Sequence, residues 1–287
     1  MMENKSGSLD LNCKRVKNQP FGVVLHPQND GQKVMTLSVN RLRTLARSHH
    51  LVVLRGFTSD FADAEVLAEY AKMWGEIMMW PFGAVLNVIE DQHATDHIFD
   101  NSYVPLHWDG MYKSTIPEFQ LFHCAAAPAA NEGGRTTFVD TSLMIANASE
   151  QVLAQWKAVS VTYRIAQVVH YGGTLCSPLL VKHPTGKGMI MRYNEPPVEG
   201  KKFLNQHTLE YHGIAPEQQA EFRRVLHKSL YDVRHFYAHH WQKGDVVIAD
   251  NFSLLHGREG FTHCSTRHLQ RVHIQSSPPC INQALKL

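Results

Sequence analysis

Short apolar runs of the β type recur along this chain and resume after every helical stretch, and this constrains its fold more than any other feature. Leu51-Val52-Val53-Leu54 reads as a buried strand ending at Arg55-Gly56-Phe57. Val85–Ile89, Phe119–Ala125 and Thr136–Val139 follow, set apart by Pro and Gly. Strands return at Leu179–Val181, Met189–Tyr193, Val246–Ala249 and His268–Gln275. Between them, Ser38 is placed to cap a helix through about His49, with Leu42, Leu45 and Ala46 on one face. Asp63 is placed to cap a second, in which Val66, Leu67, Tyr70, Ala71 and Trp74 keep the helical period until Gly75. Residues 142–157 and 216–236 read as further helices. No repeat, low-complexity tract or Pro/Ser-rich linker divides the chain. Strands on both sides of helical insertions, with strong strands at the very end, predict a mainly β fold with flanking helices, a β-sandwich or jelly roll. The expectation is one domain over 1–287, with 1–20 a poorly ordered lead.

At 287 residues the chain buries a full core without a disulfide or metal staple. Its 28 basic and 26 acidic side chains leave a formal charge of +2, which gives no footprint for nucleic acid. Five cysteines, at 13, 124, 176, 264 and 280, form no C-x-x-C pair and read as reduced thiols of a cytoplasmic protein. Met1 to Asn18 lacks the apolar run of a signal peptide, and no stretch approaches the roughly 18 apolar residues of a membrane span. A small molecule is therefore the expected partner, with neither nucleic acid nor membrane, and a homo-oligomer is left open. The outlying count is histidine, at 19.

His107-Trp108-Asp109 puts an imidazole and a carboxylate two residues apart, on one face if the segment is a strand. Composition alone makes one or two such pairs by chance, so the motif needs company. His256 follows the apolar strand Val246–Ala249 and the turn-like Asp250-Asn251. If the loop around Gly260-Phe261-Thr262-His263 reverses the chain as a hairpin, His256 faces Arg267, and Arg271 lies on the same face. Two arginines on one face of a terminal strand fit either exposure to water or a polar cavity. In the second case they can hold carboxylates bidentately beside a metal. Two histidines and one carboxylate form the facial triad of non-haem Fe(II) oxygenases, with three positions open for a 2-oxo acid and dioxygen.

Other constellations are weaker. His235 and His239, four apart on an expected helix, could share a zinc ion, but no third ligand is placed to complete the site. No G-x-S-x-G elbow is present, and Gly133-Gly134 and Gly172-Gly173 match neither a phosphate loop nor a dinucleotide fingerprint. Cys124 and Cys264 read as core fillers. Met78-Met79-Trp80-Pro81-Phe82 is core by default, although as an apolar lid it would suit an aromatic substrate.

From Leu42 to Ile274 the chain resembles the taurine dioxygenase-like Fe(II)/2-oxoglutarate oxygenases. The resemblance is carried by Leu51–Phe57, Trp74-Gly75-Glu76, His107-Trp108-Asp109-Gly110, Gly133-Gly134-Arg135-Thr136 and His183-Pro184-Thr185-Gly186. It continues through Trp241-Gln242-Lys243-Gly244-Asp245, Asp250-Asn251, and His256 with Arg267 eleven residues on. It implies a double-stranded β-helix holding Fe(II) on His107, Asp109 and His256. It also implies 2-oxoglutarate and dioxygen as cosubstrates, with Arg267 and Thr136 on the distal carboxylate. Arg271 and Tyr103 are implied to face the primary substrate. Tyr103 stands where taurine-specific members have an asparagine, a departure from the sulfonate pattern. Met189–Pro196 is most similar to the oxygenases that partner isonitrile synthases in paerucumarin-type pathways, and it adds Arg192 as a second candidate cation. The resemblance thus implies oxidative desaturation, with or without decarboxylation, of an isonitrile derived from tyrosine or tryptophan, coupled to conversion of 2-oxoglutarate to succinate. A hydroxylase of a small sulfonate or amino acid would use the same scaffold. A non-catalytic jelly-roll protein that binds a small acid is the reading of another class, and an intact iron triad counts against it.

Overall fold

The computed structural model describes residues 11–285 except 62, 169, 170, 187, 199, 202 and 263. Residues 1–10 of the expected lead, and His263 of the expected reversing loop, lie outside the described residues. The first strands are β1 (Cys13–Lys17) and β2 (Val23–Pro27), an antiparallel pair, so part of the expected lead is an edge strand. Helix α1 (Val39–His49) starts after Ser38 and buries Leu42, Leu45 and Ala46 against the next strand, β3 (Leu51–Leu54). Helix α2 (Ala64–Lys72) is capped by the Asp63 carboxylate, which accepts the Val66 N–H at 2.9 Å. Then come β4 (Leu86–Ile89), β5 (Val104–His107), β6 (Thr115–Ile116), β7 (Phe119–Ala126) and β8 (Thr136–Asp140).

Two helices, α3 (Thr141–Asn147) and α4 (Glu150–Ala158), occupy the stretch expected to be one. The chain turns extended at Ala148, and Ser149 recaps it by accepting the Val152 N–H at 3.3 Å. Strands β9 (Ser160–Val168), β10 (Tyr171–Pro178), β11 (Leu180–Lys182), β12 (Met189–Met191) and β13 (Thr208–His212) lead to α5 (Gln219–Leu230). That helix stops six residues short of the expected Phe236. Asp232 takes the Arg234 N–H in a turn, and β14 (Phe236–His239) follows. The expected zinc pair is thereby separated. His235 in the turn bonds the Ser229 carbonyl, whereas His239 on β14 meets Asp245. The last strands are β15 (Val246–Asp250), β16 (Leu254–Arg258), β17 (His268–Ile274) and β18 (Cys280–Ile281).

Two sheets form the sandwich. One runs β1-β2-β3-β15-β7-β17-β4 and the other β14-β8-β16-β5. All of their pairings are antiparallel except β2 with β3. Strands β3 and β15 read as unbroken apolar runs because both faces are covered. Val52, Leu54, Val246 and Ile248 meet α1 and α2, while Leu51, Val53, Val247 and Ala249 meet Phe138 and Leu254 of the facing sheet. Outside the smaller sheet, Val139 and Leu255 pack with Trp156 of α4 and with Leu226 and Leu230 of α5. Arg55, just after β3, forks onto the Asp245 carboxylate before β15 at 2.5 and 3.0 Å, which fixes the end of that pair.

The expected β16–β17 hairpin does not exist. Strand β16 pairs with β8 and β5, and β17 with β7 and β4, so the loop between them crosses from one sheet to the other. His256 faces Arg267 across the sandwich, not along a ladder.

Gly257 sits at the bulge where β16 leaves register with β5, and a Cβ there would lie 2.6 Å from the Val104 carbonyl oxygen. Gly257→Ala must push β5 away from β16, and we expect a loss of about 1–3 kcal/mol in denaturant unfolding. A stability within 0.5 kcal/mol of the parent would show that the two strands can part freely.

Candidate active site

His107 ends β5, and its direct cross-strand partner is His256 of β16, with the ring centroids 4.2 Å apart. Asp109 is not on the strand with His107. It lies in the turn that follows, which folds the carboxylate back between the two rings. Its Oδ1 is 3.6 Å from His107 Nε2 and its Oδ2 is 3.6 Å from His256 Nε2. The three donor atoms lie within 4.8 Å of one another, so small side-chain adjustments suffice to place one metal ion among them. His107 Nδ1 donates to the Pro105 carbonyl at 2.8 Å, which leaves the Nε2 lone pair for a ligand. Burial, then the neighbouring His107, pushes the His256 pKa well below its ordinary value, so the His256 ring is neutral.

The Asp109 carboxylate is held from the opposite sheet. Gln120 Nε2 of β7 donates to Oδ2 at 2.6 Å, His273 Nε2 of β17 meets it at 2.6 Å, and Arg271 Nη1 lies at 3.1 Å. Gln120 and His273 are register partners on adjacent strands. The His273 tautomer follows from its other side, where Nδ1 accepts from Trp80 Nε1 at 3.0 Å. Burial opposes the charge on Asp109, but the Arg271 guanidinium outweighs it and holds the carboxyl well below the usual carboxylate range. With three donors on Oδ2, Oδ1 is the oxygen left to ligate. Asn251 fixes the backbone beneath, accepting the Asp109 N–H at 2.9 Å and donating to the Asp109 carbonyl at 3.0 Å.

Both sheets line one cavity around this cluster, and Arg267, Thr136 and Arg271 are among its walls. Arg267 is buried, its Nε donates to the Gly134 carbonyl at 2.9 Å, and no acid pairs with it among the described residues. Burial, with Arg258 nearby, lowers its pKa. Gly134 is required beneath it, since φ is +73° there and a Cβ would meet Arg267 Cδ at 2.9 Å. The Thr136 hydroxyl accepts from Trp241 Nε1 at 3.0 Å, which leaves its own O–H to donate. An uncompensated buried guanidinium beside a hydroxyl with a proton to donate fits a carboxylate, and two imidazoles with one carboxylate fit Fe(II).

Tyr103 and Arg192 do not line the cavity. The Tyr103 hydroxyl takes the Val198 N–H, and Lys201 lies over its ring. Arg192 is buried behind the site, stacked on Trp108 and donating to the Asn251 carbonyl at 3.1 Å. It supports the clamp on Asp109 and is out of reach of a ligand. The Met78–Phe82 run is only partly core. Met78 is buried, whereas Trp80 and Phe82 stack at 5.8 Å and line the cavity. Lys113 lies over the Trp80 ring at 4.5 Å, also lines the cavity, and has no acid partner among the described residues. Sequence reasoning missed Gln120, His273, Asn251 and Lys113. Asn251 carried a signal as part of Asp250-Asn251, and His273 as the residue beyond Arg271 on the same strand face.

Residues 17–273 match the family described as taurine catabolism dioxygenase TauD, TfdA family. Tyrosine isonitrile desaturase of Pseudomonas aeruginosa is 49% identical over 94% of this chain and 92% of its own length. The 3-((Z)-2-isocyanoethenyl)-1H-indole synthase of Fischerella ambigua is 39% identical over 89% and 93%. The solved structure of PvcB, an Fe, alpha-ketoglutarate dependent oxygenase from an isonitrile synthetic pathway, superposes with a TM-score of 0.81 at 42% identity, covering 99% of this chain and 98% of that one. With the family matched over most of its length and a relative at 49% identity, this chain belongs to the TauD/TfdA dioxygenase family.

Proposed function

We propose that the chain is an Fe(II)- and 2-oxoglutarate-dependent oxygenase that desaturates an isonitrile derivative of an aromatic amino acid, with or without loss of the substrate carboxylate. One observation carries the reading: the His107–Asp109–His256 cluster and the unpaired Arg267 share a cavity walled by Trp80 and Phe82. The tyrosine- and indole-type isonitrile enzymes among the relatives support the substrate class. A small sulfonate would leave the aromatic wall without contact.

When bound, Fe(II) with 2-oxoglutarate supplies a two-electron oxidation by dioxygen, in which the 2-oxo acid becomes succinate and carbon dioxide and the substrate's two hydrogens leave as water. The protein's part is to hold and shield. His107 and His256 would hold the iron through their Nε2 atoms and Asp109 through its Oδ1. Arg267 forks onto the distal carboxylate of 2-oxoglutarate, and the Thr136 O–H donates beside it. Arg271 and Lys113 are the cavity cations for the substrate carboxylate, and Trp80 and Phe82 cover its ring and exclude water.

Asp109→Ala should abolish Fe(II) binding with the fold intact, read by metal analysis and by loss of the visible charge-transfer band on anaerobic addition of Fe(II) and 2-oxoglutarate. Full iron occupancy in that variant would refute the ligand assignment. Arg267→Lys keeps the charge but loses the planar fork, so 2-oxoglutarate affinity should fall roughly 10- to 150-fold. An unchanged affinity would move that role elsewhere. Arg271→Gln removes the cation from Asp109 Oδ2, and Fe(II) affinity should drop about 10- to 100-fold. Undiminished iron affinity with impaired turnover would confine Arg271 to the substrate.

A further inference from the structure

One wall of the cavity is built by His97, Tyr171, Phe203, Asn205 and His207. Most of its polar groups satisfy one another. The Tyr171 hydroxyl lies 3.2 Å from Asp96 Oδ1 and from Asn205 Oδ1, and 3.3 Å from His97 Nδ1. Asn205 Oδ1 also accepts the His97 N–H at 3.4 Å, and Phe203 stacks on the His97 ring at 4.8 Å. These contacts make the wall a fixed surface.

His207 is the exception. It is only 8% exposed, and its Nε2 has no hydrogen-bond partner among the described residues. The ring's one polar contact is to the Asn194 backbone, which favours a ring that donates. Burial pushes its pKa down to about 4, so the imidazole is neutral, with its proton on the Asn194 side and a bare acceptor at Nε2. A buried acceptor without a donor is costly, and on a cavity wall that cost is recovered only when a ligand donates to it.

We infer that His207 Nε2 accepts a hydrogen bond from a donor on the substrate's aromatic ring, so the enzyme selects ring-bearing isonitriles with an O–H or N–H at the edge remote from the reacting carbons. The inference rests on the function proposed above and sharpens its substrate class. A phenol and an indole share this chemistry. A bare phenyl ring lacks it and would leave Nε2 unpaired, the situation in which sites discriminate best.

The test compares isonitriles derived from tyrosine, tryptophan and phenylalanine. Each is titrated anaerobically against the protein loaded with Fe(II) and 2-oxoglutarate, and each is then turned over in air. The parent enzyme should bind at least one donor-bearing isonitrile about 5- to 150-fold more tightly than the phenylalanine analogue. Preference for the tyrosine compound identifies a phenol, and preference for the tryptophan compound an indole. His207→Leu should abolish the preference by weakening only the donor-bearing ligand, while His207→Gln, which keeps an acceptor, should retain most of it. The inference is overturned if the parent shows no preference, if His207→Leu keeps it, or if that variant weakens all three ligands equally. Should the parent neither bind nor turn over any of the three while still binding Fe(II) and 2-oxoglutarate, the substrate assignment itself falls.

Discussion

The carboxylate of Asp109 is the point on which the two sheets converge. Its backbone follows β5 of the smaller sheet, and the groups that hold its side chain, Gln120, Arg271 and His273, all come from the larger one. A carboxylate at this depth is stable only with such partners, because burial alone would favour its neutral form. The arrangement satisfies the acid and orders the centre together. Three donors on one oxygen leave the other free toward His107, and the distance between the sheets is set by contacts that also set the ligand geometry. Trp80 extends the chain outward through His273, so an aromatic wall of the cavity is hydrogen-bonded to the group that orients Asp109. A ring packed against Trp80, as the proposed function has it, would act on the same chain of contacts that orients Asp109.

How much of this was legible in the sequence depended on the range of the contact. The cap at Asp63, the apolar run of β3 and the alternation that points Arg267, Leu269 and Arg271 into one cavity are local, and each follows from its own residues. His256 was recognisable as sharing a site with Arg267, and both line one cavity, but its register was not legible. Proximity in the chain suggested a hairpin, whereas the β16 ladder is completed by β5, about 150 residues earlier. Gln120 was invisible for the same reason, and His273 was legible only as a residue on the Arg271 face. A glutamine on one strand and a histidine on another become a pair only once β7 and β17 are known to be neighbours. Arg192 and Tyr103 failed in the opposite direction. Both stand in informative stretches, yet one braces Asn251 from behind the site and the other holds the Val198 segment outside the cavity.

The charge inventory of the cavity shows what kind of ligand it is built for. Arg258, Arg267 and Arg271 lie on its walls, with Asp109 as the acid among them. These cations are used differently. Arg258, two residues after His256, is spent on the carbonyls of His97, Ile98, Asp100 and Ser102, so it pins the segment that carries His97 into the cavity wall. Arg271 is committed in part to Asp109. Of the three arginines, Arg267 has neither an acid nor a fan of carbonyls among the described residues: its Nε donates to Gly134 and its guanidinium lies over Phe261. Lys113, the fourth cation of the walls, lies over Trp80. Burying a guanidinium as Arg267 is buried costs free energy that the fold does not recover by itself. A carboxylate reaching this guanidinium would recover that cost, which is why the proposed reading assigns Arg267 to an anion. The same logic separates Arg267 from the other two. Replacing Arg258 would loosen a wall and replacing Arg271 would free the Asp109 carboxylate, whereas on the function proposed above Arg267 is held for binding at the expense of stability.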